Sequence, residues 1–206
     1  VAVGQQVIPQ PATWGCSHGS GFLGNTIRNA ETEMSRSNRF PNGDRQAAWA
    51  GHCFVFVGDQ DLGKGQRGPA IIEAEWPKVK LSPVSAHPDA IWAVAQQLTA
   101  AQRDQGVAAA MGLLGTQYDA FAYAYFISKV IKVAYSKDLR VLFADMAKIG
   151  PICSGVVVRE QEAMKVNIGP LKVAATQDPD FVCPADCLRW GLDNQWMSAA
   201  PSADWR

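Results

Sequence analysis

A cysteine that opens a helix faces unpaired backbone N–H groups and the positive end of the helix dipole, and both stabilise a thiolate. Of the five cysteines, at Cys16, Cys53, Cys153, Cys183 and Cys187, it is Cys153 that has this setting. Gly150-Pro151-Ile152 breaks the chain just before it, and the residues that follow, through Met164, support a helix. Thiolate chemistry also needs a base, and His52, one of three histidines, stands at the start of an apolar run. A third polar group must accept the second ring proton and fix the imidazole. Glu73, on the neighbouring segment of a proposed hairpin, reaches across the pair in the right register. Glu75 lies two residues on, on the same strand face, so a register error would exchange the two. Together these residues are the parts that thiolate chemistry needs: a stabilised sulfur, a base and an orienting group. Each also has a plainer reading, since a cysteine on an apolar helix is commonly a small buried hydrophobe and a histidine before a strand is usually structural.

The remaining cysteines and histidines suggest less. Cys53 directly follows His52, and strand alternation turns it to the opposite face, away from the nucleophile's position. Cys183-Pro184-Ala185-Asp186-Cys187 places three residues between two thiols, while His18, His52 and His87 show no paired, finger-like spacing, so no metal site is expected. An odd cysteine count in a chain of this length does not look like a disulfide framework, and the unpaired thiol is assigned to Cys153.

The elements that must hold these groups follow from periodicity and punctuation. Residues 1–20 read as an irregular lead-in. A helix is expected near 21–35, and a loop after it through Pro41, Asn42 and Gly43. The β-branched and aromatic run His52-Cys53-Phe54-Val55-Phe56-Val57 reads as a strand, Ala70 to Trp76 as its partner after a long Gly-rich loop, and Val79 to Val84 as a third strand. Short strands joined this way suggest an antiparallel sheet. From Pro88 to about Leu114 the pattern is helical, with Ile91, Val94, Ala95 and Leu98 on one face; a second helix is expected from Ala120 to about Tyr135. The fold class is therefore α+β, a small antiparallel sheet packed against helices.

Composition bounds the function. The 206 residues are 48% apolar and 18% charged, with 19 Lys plus Arg against 19 Asp plus Glu, which fits a folded globular chain of about one domain. A net charge of zero argues against nucleic acid as partner, because phosphate contacts need clustered cations. No apolar stretch approaches the roughly 20 residues that span a bilayer, and Val1 to Gln10 carries no visible secretory leader.

The order of histidine strand, acidic strand and cysteine helix resembles the circularly permuted branch of the NlpC/P60 superfamily, which is papain-like. Gly21-Phe22-Leu23-Gly24-Asn25-Thr26-Ile27-Arg28 is similar to that family's early helix, and Gly51 to Asp59 to its histidine strand. Ile71-Ile72-Glu73-Ala74 and Val79-Lys80-Leu81-Ser82-Pro83 resemble its next two strands. Gly115 to Phe121 resembles its Tyr-Asp segment, Ile152-Cys153-Ser154 the start of its cysteine helix, and Cys183-Pro184-Ala185-Asp186 a turn near its end. Two features depart from the pattern: Gly155 stands where the family often has an acidic residue, and the segment from Gln117 to Ile152 is long, which implies a helical insertion at about 120–147.

The resemblance implies a permuted NlpC/P60-like domain over 21–190, followed by a C-terminal tail over 191–206. It implies a Cys153-His52-Glu73 triad that cleaves an amide, foremost a peptide bond of bacterial peptidoglycan, without metal or organic cofactor. Two other activities fit the same frame: a non-catalytic assembly component of a secreted or viral particle such as a phage tail, with a partner docked through the termini, and a lipid-directed thiol esterase or acyltransferase. An extracellular or virion-associated location is favoured over a cytoplasmic one.

Overall fold

The computed structural model describes residues 9–19, 47–119, 151–168, 171 and 182–199. Within them lies one open antiparallel sheet of five strands: β1 (Thr13–Ser17), β2 (His52–Gly63), β3 (Gln66–Glu75), β4 (Lys78–Pro83) and β5 (Ile91–Trp92), in the order β4-β3-β2-β1-β5. Three α-helices accompany it: α1 (Ala100–Met111), α2 (Cys153–Ala163) and α3 (Pro184–Asp193). The fold is thus α+β. The helices expected near 21–35 and 120–135, and the insertion at 120–147, lie outside the described residues.

Alternation along the central strands sorts side chains into two layers. Val55 pairs with Ile72 and Phe56 with Ile71, and the same register puts Cys53, Val55, Val57, Ile72 and Ala74 on one face. That face is the main core, closed by Val156 and Val157 of α2 and by Leu188 and Trp190 of α3. The opposite face carries His52, Phe54, Phe56, Ile71 and Glu73. Here Phe54, Phe56 and Ile71 form a second, smaller core with Trp92, covered by Val84, Ala90 and Val94. Glu73 pairs with Lys80 and Ile71 with Ser82, which places Lys80 and Ser82 on this face too.

Three expectations change. The lead-in is not irregular throughout, because Thr13 to Ser17 form β1 in the interior of the sheet, between β2 and β5. Trp14 drives this: it is fully buried and stacks on Trp190, ring centroids 6.0 Å apart. The loop between β2 and β3 is tight rather than long, since the Gly-rich run extends both strands and leaves only Lys64 and Gly65 between them. Both adopt positive φ (53° and 75°), the backbone of a two-residue turn whose twist matches the strands.

The third change bears on the site. The helix expected from Pro88 starts only at Ala100, capped by Thr99, whose side chain accepts from the Gln102 backbone while Gln102 reaches back to Thr99. Upstream, tertiary bonds take the backbone groups that a helix would use: Ile91 and Trp92 pair with β1, the Ala93 N–H donates to the Trp14 carbonyl (2.9 Å) and the Ala95 N–H to the Trp196 carbonyl (3.0 Å). Burial of the Trp92 ring against Phe54 outweighs helical periodicity here. Val84, His87 and Ala90 consequently lie over the second face of the sheet before the chain enters β5.

At the C-terminal end, α3 continues past residue 190 to Asp193, and Trp196 packs edge-on against Trp190 at 4.8 Å. Among the described residues no helix is long and apolar enough to cross a membrane.

Candidate active site

Cys153 is the first residue of α2, as its sequence setting requires. The N-cap residue Ile152 has extended backbone (φ −80°, ψ 174°) and no side-chain acceptor, so no cap competes with the sulfur for the first-turn N–H groups. The backbones of Ser154 and Cys53 both hydrogen-bond the Cys153 sulfur. The helix end is fixed from below by Ser154, whose hydroxyl donates to the Val182 carbonyl at 2.5 Å.

His52 is the first residue of β2, at the end of the strand nearest this helix terminus. Its Nε2 lies 2.6 Å from Glu73 Oε2, and its ring also hydrogen-bonds the Cys153 thiol. With Nε2 committed to the carboxylate, Nδ1 is the nitrogen left for sulfur. The three residues named from the sequence are therefore brought together in series: thiol, ring and carboxylate. Register decides between the two glutamates. Glu73 is buried beside His52, whereas Glu75 is half exposed and pairs with Lys80.

Burial disfavours charge on each of the three groups, so the pairing must overcome it. For Cys153, burial pushes the thiol up, but the His52 hydrogen bond and charge bring it below the ordinary 9.0. For His52, burial pulls down, yet Cys153 and Glu73 raise it from 6.5 to about 10. For Glu73, burial again pushes up, while hydrogen bonds from His52 and His87 hold it well below the carboxylate range. All three shifts run in the direction that favours a thiolate–imidazolium pair beside a carboxylate anion. The neighbouring Cys53 is the opposite case: burial, together with the Cys16 and Cys187 thiols, pushes it well above 9.0. Cys16 and Cys53 face each other across β1 and β2 with sulfurs 3.1 Å apart, and all five cysteines are buried and outside any disulfide.

Sequence reasoning missed His87. Its Nε2 lies 2.8 Å from the same Glu73 Oε2, its Nδ1 is 3.1 Å from Ser17 Oγ, and its ring stacks on Phe54 at 4.6 Å. Glu73 Oε1 faces Lys80 Nζ at 3.7 Å, and Ser82 also hydrogen-bonds the carboxylate. A helix from Pro88 gave no reason to fold His87 back onto β3; the strand pairing of Ile91 and Trp92 does. The only sequence signal was the residue type, a histidine next to Pro88. His52, Glu73 and His87 are also the one set among the described residues with the donor atoms to hold a metal ion.

The arrangement supplies a nucleophile, a proton carrier and a fixed orienting anion. Compared with known proteins, the chain matches no family model, no curated protein and no solved structure.

Proposed function

We propose that this protein is a cysteine-dependent hydrolase that cleaves an amide through Cys153, His52 and Glu73, with a peptide bond of peptidoglycan as the leading substrate. The observation that carries the reading is the continuous chain of contacts from the Cys153 thiol through the His52 ring to the buried Glu73 carboxylate. The accompanying fold reading is the permuted papain-like arrangement. It is supported by the histidine strand preceding the cysteine helix and by the antiparallel sheet against which that helix packs.

The steps follow from the protonation states. The Cys153 thiolate attacks the carbonyl carbon, and N–H groups at the start of α2 stabilise the oxyanion that forms. His52 then gives its Nδ1 proton to the departing amine, the C–N bond breaks, and a thioester remains on Cys153. His52, now neutral, takes a proton from water as that water attacks the thioester. The acid leaves, sulfur departs as thiolate, and the imidazolium is restored. Throughout, Glu73 holds Nε2–H and keeps Nδ1 turned to sulfur.

The test is to incubate the protein with peptidoglycan stem peptides and, separately, with lipid esters, and to analyse the quenched protein by mass spectrometry. Peptide turnover with an acyl adduct on Cys153, absent in Cys153→Ala, is the expected result. Turnover of lipid esters alone would replace the substrate class, and turnover of neither would sink the hydrolase reading.

A further inference from the structure

The nitrogens of two histidines rarely aim at one carboxylate oxygen without consequence for metal ions. His52 Nε2 and His87 Nε2 approach Glu73 Oε2 at 2.6 and 2.8 Å, and the three donor atoms lie within 4.8 Å of one another. They come from three places in the chain: β2, β3 and the segment after β4. The His87 ring is held on both sides, by Phe54 stacking and by Ser17 Oγ at Nδ1, the kind of outer contact that fixes a ligating imidazole. Both histidine side chains keep some solvent contact, 13% and 14%, so an ion can reach them.

We propose that His52, Glu73 and His87 form a three-ligand site for a divalent transition metal of the zinc class, and that its occupation takes His52 away from Cys153. Two imidazoles and a carboxylate suit zinc and its neighbours rather than magnesium or calcium, which favour all-oxygen sets. With ligand bonds of about 2.0–2.2 Å in tetrahedral geometry the donor atoms stand roughly 3.3 Å apart, so the two nitrogen–oxygen separations open from 2.6 and 2.8 Å while the two nitrogens, within 4.8 Å of each other, settle to the same spacing. Water completes the fourth position. Each ring binds through its Nε2 lone pair, so its Nε2 proton leaves to solvent or moves to Nδ1 of the same ring, where for His87 the Ser17 hydroxyl accepts it. A metal-bound His52 keeps Nδ1–H toward sulfur but no longer cycles a proton, and the thiol chemistry stops.

The consequence for catalysis rests on the hydrolase reading; the binding does not. Zinc is titrated into the full chain against a chromogenic chelator, and Co2+ is bound in its place so that its visible spectrum reports the ligands. One equivalent is expected on the wild type and on Cys153→Ala, with Co2+ bands of a four-coordinate nitrogen–oxygen set and no sulfur charge transfer. Affinity should fall at least tenfold in His87→Ala and in Glu73→Gln, with folding checked by circular dichroism. Absence of stoichiometric binding to the wild type overturns the proposal. So does a sulfur charge-transfer band, which would place the metal on a cysteine, Cys153 if the band is lost in Cys153→Ala, and so does undiminished affinity in a folded His87→Ala. The wild-type spectrum decides even if the variants fail to fold. An unreactive Cys153 in the metal-free protein, with the cobalt site formed normally once the ion is added, would overturn the hydrolase reading and leave the metal site standing.

Discussion

Replacing His52 tests the thiolate directly. Alanine at position 52 removes the hydrogen bond and the charge that lower Cys153 most, and leaves burial, which acts the other way, against the smaller contributions of the Cys53 and Ser154 backbones. The thiol then titrates higher than in the wild type, toward its ordinary 9.0, where about one sulfur in a hundred is ionised at pH 7. Part of this loss is returned, because a more basic thiolate is a better nucleophile. With a Brønsted slope of about 0.4–0.5, each pH unit of rise returns roughly threefold of the tenfold lost in ionised fraction. The net effect at pH 7 is alkylation about threefold slower in the variant for each pH unit by which the thiol rises above that pH. The assay is the rate of iodoacetamide labelling of the Cys153 peptide, read by mass spectrometry from pH 5 to 10.5. Removing a ring also opens space around the sulfur, so the decisive quantity is the pH midpoint, which does not depend on access. The wild type should titrate below 9.0 and His52→Ala at a clearly higher pH. His52→Gln, which fills more of the space, should behave like the alanine variant. Identical midpoints in all three proteins would refute the argument that His52 activates Cys153.

Two further outcomes test the packing and the buried charges. Glu160 in α2 is fully buried and held up to about 8 by burial, whereas an unfolded chain releases that proton near 4.5. The folded form retains a proton that the unfolded form loses, so stability present below 4.5 declines as pH rises to about 8, at roughly 1.4 kcal/mol per pH unit for one group. Glu160→Gln should therefore be more stabilising at pH 8 than at pH 5 in urea unfolding, by a few kcal/mol on that order; equal effects at both pH values would count against the buried-proton account. At Gly15, an added Cβ would stand 2.8 Å from Trp92 Cε3 and 2.9 Å from Phe54 Cε2. Gly15→Ala should cost about 1–3 kcal/mol, seen as a fall in melting temperature of roughly 2–10 °C. An unchanged melting temperature would mean that the β1–β5 contact yields more easily than its rings suggest.

The parts of this site that were legible in the sequence are those whose signals are local. A break before Cys153 marks a helix start, and alternation in His52 to Val57 marks a strand. A carboxylate on the partner strand can be named, even though Glu73 and Glu75 stay interchangeable until the register is known. What was not legible depends on partners far along the chain. Trp14 lies in a segment rich in Pro and Gln, and nothing nearby shows that Trp190 will bury it. The helical spacing of Ile91, Val94, Ala95 and Leu98 is real, yet backbone bonds to Trp14 and Trp196 claim that stretch first. The misread helix hid His87, because only an extended path from Pro83 to Trp92 lays that ring on Phe54 and Glu73.

The placement of β1 inside the sheet has a consequence for when the thiol becomes reactive. β2, β3 and β4 follow one another through short turns and can pair as soon as they are made, while β1 must find both β2 and β5 across long intervening stretches, a slow and entropically costly closure. Ser17, His52, Glu73, His87 and Cys153 are contributed by segments on both sides of that closure. Until α2 seats its first turn beside His52, Cys153 is an ordinary thiol, ionised about once in a hundred at pH 7. The nucleophile is thus armed by tertiary assembly itself, and a nascent or partly unfolded chain carries no activated sulfur with which to damage itself or its neighbours.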